Sequence, residues 1–145
     1  MRQRIVLVLL LLLGLVVLQQ RYHWFFDEPS GEIVSSAEQL QQAFRDRRSS
    51  IQVEGRGTII KVLKDDRQGS RHQRFILELP TGQTLLVSHN IDLAPRIDTL
   101  RIGDQVEFFG IYEYNDQGGV IHWTHHDPAG RHVDGWIRHN GRLYR

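Results

Sequence analysis

The chain opens on an unbroken apolar block, passes through a helical period and then alternates. Ile5 to Leu18 (IVLVLLLLLGLVVL) follows the basic start Met-Arg-Gln-Arg. As a helix its fourteen residues would span about 21 Å, short of the ~30 Å hydrocarbon core. The aromatic group Tyr22, Trp24, Phe25 and Phe26 extends the segment at a membrane interface. No small-residue cleavage site follows the run, and no cysteine follows it to carry a lipid. An uncleaved signal anchor is therefore expected in preference to a cleaved signal peptide. Arg2 and Arg4 keep the amino terminus cytoplasmic, so the remainder is expected on the far side of the membrane.

After the linker Asp27–Gly31 (DEPSG), Ser35 and Glu38 stand three apart as a capping box. Ala37, Leu40, Ala43 and Phe44 follow at helical spacing and predict one short amphipathic helix. From Ile51 the period changes to that of strands. GTIIKVL at 57–63 is β-branched and apolar, and HQRFILEL at 72–79 puts Phe75, Leu77 and Leu79 on one face. TLLVS at 84–88 follows Pro80-Thr81-Gly82 closely enough for a hairpin. The segment 89–102 has no strand period and contains Pro95, which predicts a short helix or an ordered crossover. QVEFFGIYEY at 105–114 places Val106, Phe108, Tyr112 and Tyr114 on one face, with Gly110 as a bend. VIHWT at 120–124 returns after the NDQGG turn, and Asn140-Gly141 closes a terminal hairpin of the type I′ kind. The expected core is Phe75, Leu77, Val106 and Phe108 with either Ile121 or Trp123.

Three strands, a linking crossover and two strands is the order of a small OB-like barrel. An SH3-like barrel or an irregular β-roll is the alternative. The fold class is thus mainly β, with one preceding amphipathic helix and an N-terminal transmembrane or signal helix. The organisation is a signal anchor or signal peptide at 1–26, a linker and short helix at 27–50, and a β-barrel domain at 51–145.

Composition narrows the chemistry. A formal net charge of +1 is no electrostatic footprint for nucleic acid, which disfavours that partner. The absence of cysteine excludes disulfides, thiolate metal sites and thiol catalysis. Seven of the eight histidines fall between His72 and His139. His122, His125, His126, Asp127 and His132 form the densest set, and imidazoles with a carboxylate suit zinc or another divalent metal. Their spacing matches no known zinc motif, so bracing of a loop, by hydrogen bonds to its backbone and packing on Trp123 and Trp136, is the competing role, and acid–base catalysis is a third. A second set, Arg71, His72, Arg74, His89, Asn90, Asp92 and Arg96, falls on the face where OB-type barrels bind ligands. Arg74 and Arg96 would grip a phosphate or carboxylate, with Phe109, Tyr112 or Trp123 stacking a ring. The competing role is a polar network in which Arg74 or Arg96 pairs with Asp92 or Glu78. Arg74, His89, Asn90, Asp92, Arg96 and Trp123 are the candidate ligand-binding residues. The segments 122–132 and 89–96 are expected to converge at one end of the barrel. No nucleophile elbow, phosphate loop or dinucleotide motif occurs, and no motif fixes a reaction.

KVLKDD at 61–66, RHQRFIL at 71–77, HNIDLAPR at 89–96 and HWTHHDPAGRHVDGWI at 122–137 resemble a bacterial domain-of-unknown-function family of small exported proteins. The resemblance spans Lys61 to Tyr144 and implies a small bacterial, usually exported protein. It carries over no catalytic residue. The expectation is a single-pass protein of the bacterial inner membrane, anchored by residues 5–18, with a periplasmic binding module. Secretion after signal cleavage is the alternative location. Its ligand would be a small anionic or sugar-like molecule, or another envelope protein. A metal-dependent hydrolase or nuclease using the histidines of 122–132 is one alternative, and a structural envelope protein is another.

Overall fold

A computed structural model describes residues 36–145. The apolar run 5–18, the aromatic group 22–26, the linker at 27–31 and the cap Ser35 lie outside the described residues. Among those that are described, no helix is long and apolar enough to cross a membrane.

Helix α1 (Ser36–Arg45) buries Ala37, Leu40 and Ala43 on the stripe that the helical spacing sets out. The chain then enters β1 (Ile51–Val62), a strand of twelve residues. It pairs antiparallel with β4 (Gln105–Glu113) over its first part and with β2 (His72–Glu78) over its second, with a register shift between Ile59 and Lys61. One long bent strand thereby belongs to both sides of the molecule. β2 pairs with β3 (Thr84–Asn90), and β5 (Val120–His122) lies between β3 and β4, parallel to the first and antiparallel to the second. The order β1-β2-β3-β5-β4 closes through the β1–β4 pairing into a five-stranded barrel. β6 (Trp136–His139) and β7 (Arg142–Tyr144) form a hairpin that continues the sheet from β4. Asn140 and Gly141 hold φ of 49° and 75° in its turn, the left-handed pair that a type I′ turn needs.

Alternation along the strands fills the barrel. Phe75, Leu77, Leu85, Val87, Val106, Phe108, Tyr112 and Ile121 have no solvent exposure, and Leu40 of the helix closes over the same cluster. Of the two candidates at the end of β5, Ile121 is the core residue and Trp123 lies outside the barrel. Tyr114 falls beyond the end of β4. It is half-buried and packs on the ring of Phe44, with centroids 5.7 Å apart. Gly110 sits where β4 crosses the end of β5, and a Cβ there would stand 2.5 Å from the His122 carbonyl. The glycine therefore permits a close strand approach.

The crossover from β3 to β4 is ordered but contains no helix. Two polar side chains inside the barrel pin it. Gln73 binds both main-chain groups of Ile97, donating to its carbonyl at 2.8 Å and accepting its N–H at 2.9 Å. His89, opposite Gln73 across the β2–β3 ladder, reaches the Pro95 carbonyl. A buried polar group costs stability unless it is paired, and here two such groups replace sheet partners for an irregular segment.

Candidate functional site

The end of β5 is where regular structure stops. Trp123 holds φ of 54°, an uncommon conformation for a bulky side chain. The turn takes the chain off the sheet and aims the Trp123 carbonyl at Gly135. A Cβ at Gly135 would collide with that oxygen and stand 2.6 Å from the Phe109 carbonyl. Gly135 N–H in turn donates to the His125 carbonyl at 2.9 Å, tying the two ends of the loop together.

Asp127 organises the middle of this loop. One carboxylate oxygen accepts the N–H of Ala129 at 2.9 Å. The other accepts those of Arg131 and His132 at 2.7 and 2.9 Å. These amides, Ala129 first, hold the Asp127 carboxyl below its usual range. Asp134 accepts the Asp127 N–H at 2.9 Å and pairs with His126 at 2.7 Å. His125 is buried and directs Nδ1 to the His126 carbonyl at 2.7 Å. His132 lies on the Trp123 ring with centroids 3.9 Å apart. His122, the remaining member, points elsewhere, with Nε2 3.7 Å from a Glu113 oxygen. Among the described residues no group of three His, Asp or Glu side chains is placed to hold a metal ion. The set His122, His125, His126, Asp127 and His132 thus divides into separate tasks. Both oxygens of its only carboxylate are engaged by main-chain amides.

The second set is also divided. His89 is fully buried and is a tether rather than a surface ligand. Its Nε2 lies 3.2 Å from the Pro95 carbonyl, so Nε2 carries the proton and Nδ1 accepts from the Thr124 hydroxyl at 2.8 Å. Burial lowers its pKa to about 4, and the Pro95 carbonyl opposes that shift only in part. Asp92 accepts from the Arg71 main chain at 2.8 Å and its guanidinium at 2.6 Å. Arg96 binds Asp65 at 2.9 Å and Asp98 at 2.8 Å. Arg74 donates to the Lys64 carbonyl at 3.2 and 3.3 Å and has Asp66 at 3.9 Å. These partners differ from the Asp92 and Glu78 expected for Arg74 and Arg96, and neither arginine reaches the cavity described next.

The segments 89–96 and 122–132 do converge. A cavity of about 140 Å³ lies between them on the outward side of β2 and β3. Ser88, Asn90 and His72 form its strand wall, Leu93 its rim, and His122, Trp123 and His125 its loop wall. Of the candidate ligand residues, Asn90 and Trp123 line it. Ser88 and Leu93 belong to neither set read from the sequence, and His72 stands in the second set without being one of its candidate ligand residues; the β2–β3 register puts Arg74 opposite Ser88 and His72 opposite Asn90. His122 is half-buried, and burial lowers its pKa while Glu113 opposes the shift. Its Nε2 is shielded from solvent and has no hydrogen-bond partner, the Glu113 oxygen at 3.7 Å being too far. A larger open depression of about 690 Å³ lies at the other end of the β2–β3 hairpin, by Arg56, Glu78 and Gln105, and has no histidine or aromatic ring in its walls.

A family model described as a protein of unknown function (DUF3465) matches residues 27–145. The chain belongs to this family. The match takes in the helix, the barrel and both walls of the cavity, so the pocket lies inside the family's own domain. No curated protein matches the chain.

Proposed function

We propose that the domain is an OB-type binding module, held at the outer face of the bacterial inner membrane by residues 5–18, whose pocket beside Trp123 receives one compact, uncharged polar group of an envelope ligand. The observation that carries this reading is the junction of 88–93 with 122–125 around a cavity walled by an aromatic ring, an amide and a hydroxyl. Few convergent polar groups on a partly apolar wall is the usual composition of a ligand site. The strand order, with β3 parallel to β5, supports the OB-type assignment, as does a pocket on the outward face of β2 and β3. The volume, about 140 Å³, suits a single ring or residue, since a cavity of ~150 Å³ takes benzene.

Charge favours an uncharged group over an anion. Arg71 and Arg96 already bind carboxylates, Arg74 binds a main-chain carbonyl, and burial disfavours the cationic form of His122. A sugar-like ring and a segment of an envelope protein both satisfy these requirements.

The test is titration of the isotope-labelled full-length chain in detergent micelles, following the Trp123 indole and the His122 ring by NMR. Glucose and a blocked glycine peptide serve as neutral probes, and citrate as the anionic one. A neutral probe should move both signals, and Trp123→Gly, which keeps the left-handed backbone accessible, should weaken it roughly tenfold. Tighter binding of citrate than of any neutral probe would overturn the uncharged reading. An alkaline phosphatase fused to the carboxy terminus should be active, and an inactive fusion rejects the periplasmic placement.

A further inference from the structure

The ladder between β3 and β5 stops before β3 does. Its register holds at Leu86↔Val120 and Val87↔Ile121, whereas β3 runs on to Asn90. The Leu86 N–H faces the β5 side, where it donates to the Gly119 carbonyl at 3.0 Å. Main-chain groups of every second strand residue point the same way, so Ser88 and Asn90 face that side too. In a continued parallel ladder, the residue opposite His89 would give its N–H to the Ser88 carbonyl and accept the Asn90 N–H. Trp123 is that residue by count, and its left-handed turn carries its carbonyl away to Gly135. The Asn90 carbonyl is already engaged by the Ala94 N–H at 3.1 Å. Among the described residues, the Ser88 carbonyl and the Asn90 N–H are left without a ladder partner, and both residues line the cavity.

We propose that the pocket takes an extended peptide by main-chain pairing, one peptide residue giving its N–H to the Ser88 carbonyl and accepting the Asn90 N–H on its own carbonyl. The peptide fills the ladder position that Trp123 vacates. This rests on the reading of the pocket as a ligand site and names its ligand class. An acceptor and a donor spaced to meet the N–H and C=O on either side of one Cα match any residue of an extended peptide, which is how strand addition obtains its affinity. Vicinal sugar hydroxyls also donate and accept at short spacing, and the parallel titration below separates them from a peptide. The inward side of this position is already filled by the contact between His89 and Thr124 at 2.8 Å, so the paired residue is glycine. Its neighbours face outward, beside Leu93 and His122. A main chain held at a sheet edge also gives a reason for the strained turn at Trp123, since strain of this kind gathers at ligand sites.

The experiment uses the ¹⁵N-labelled full-length protein in detergent micelles and a pool of blocked tripeptides, acetyl-X-Gly-X-amide. The Asn90 amide proton should move downfield on titration and exchange more slowly with solvent. A matched pool with N-methylglycine at the centre lacks the N–H for Ser88 and should bind at least about tenfold more weakly. An Asn90 amide that stays in place, or equal binding of the two pools, overturns the proposal. Monosaccharides are titrated in parallel. A Trp123 response to sugar without an Asn90 response to peptide leaves the pocket reading standing and removes the peptide. No response to either removes both. The decisive change is made in the peptide, so no altered protein has to fold.

Discussion

Phe108 and Asp127 are both buried, and little else about their surroundings is alike. Phe108 lies in the barrel, where side chains of the strands and of α1 contribute to one apolar cluster. Its contacts are non-directional, and each strand reaches them by the same two-residue alternation. Asp127 lies in the loop between Trp123 and Gly135, which has neither helix nor strand. That loop is held by directed bonds, most of them main-chain amides donating to the Asp127 and Asp134 carboxylates. Burial tolerates exchange of one apolar residue for another of similar volume, whereas a carboxylate accepting several amides has no apolar substitute. The pocket thus has one wall of each kind, a strand edge fixed by the core and a loop fixed by a few polar atoms.

Four measurements test that contrast. Phe108→Ala should cost about 3–5 kcal/mol, the range for a fully packed aromatic residue. Denaturant unfolding measures it, and an unchanged midpoint would mean that the ring is not a core element. Next comes His89, which joins the two regions through Thr124 and Pro95. The unfolded chain takes up its His89 proton near pH 6.5 and the folded chain only near pH 4. The histidine's contribution is therefore whole above pH 6.5 and falls as pH drops towards 4. The loss is about 2–3 kcal/mol by proton linkage. Unfolding at pH 7.5 and 4.5 should show that loss in the native sequence and a much smaller one in His89→Leu; equal losses in both would remove His89 as the cause.

Asp127→Ala should leave the barrel folded and loosen the loop. Amide exchange at Ala129, Arg131 and His132 should quicken by roughly tenfold, while β2 and β4 amides keep their protection. Uniform acceleration across the barrel would show that the two regions are not separable. The smallest effect belongs to His126→Ala, which removes an exposed partner of Asp134 and leaves Asp134 bound to the Asp127 N–H. Its melting temperature should stay within roughly 1 °C of the native value, because exposed ion pairs contribute little. A larger fall would give the loop a dependence on that pair that its geometry does not suggest.

The barrel is legible in the sequence because its information is local and repeated. Alternation at 72–79, 84–88 and 105–114, with turns at 80–82 and 140–141, is enough to give a sheet of antiparallel hairpins with an inward apolar face. The site was readable only as a place. That 89–96 and 122–132 meet follows from their positions at strand ends, but not which atoms face each other. His122, His125 and His126 are neighbours in the chain, yet the turn at Trp123 sends them to different partners. His89 looks like a surface ligand in sequence, and β3 alternation from Leu85 and Val87 was the available sign that it points inward.

The strand period, the helix stripe, the hairpin turns and the apolar segment at 5–18 are legible in the sequence, because a few adjacent residues settle each of them among themselves. The sequence also carries the family blocks. The tertiary structure decided the closure of β1 onto β4, the early end of the β3–β5 ladder, and the partners of each arginine and histidine. The physical reason is reach. Apolar burial depends on which face a residue occupies, and the period of the chain gives that directly. A hydrogen bond depends on two groups meeting within about 3 Å at a fixed angle, and residues as far apart as His89 and Thr124 meet that condition only once the barrel has closed around them.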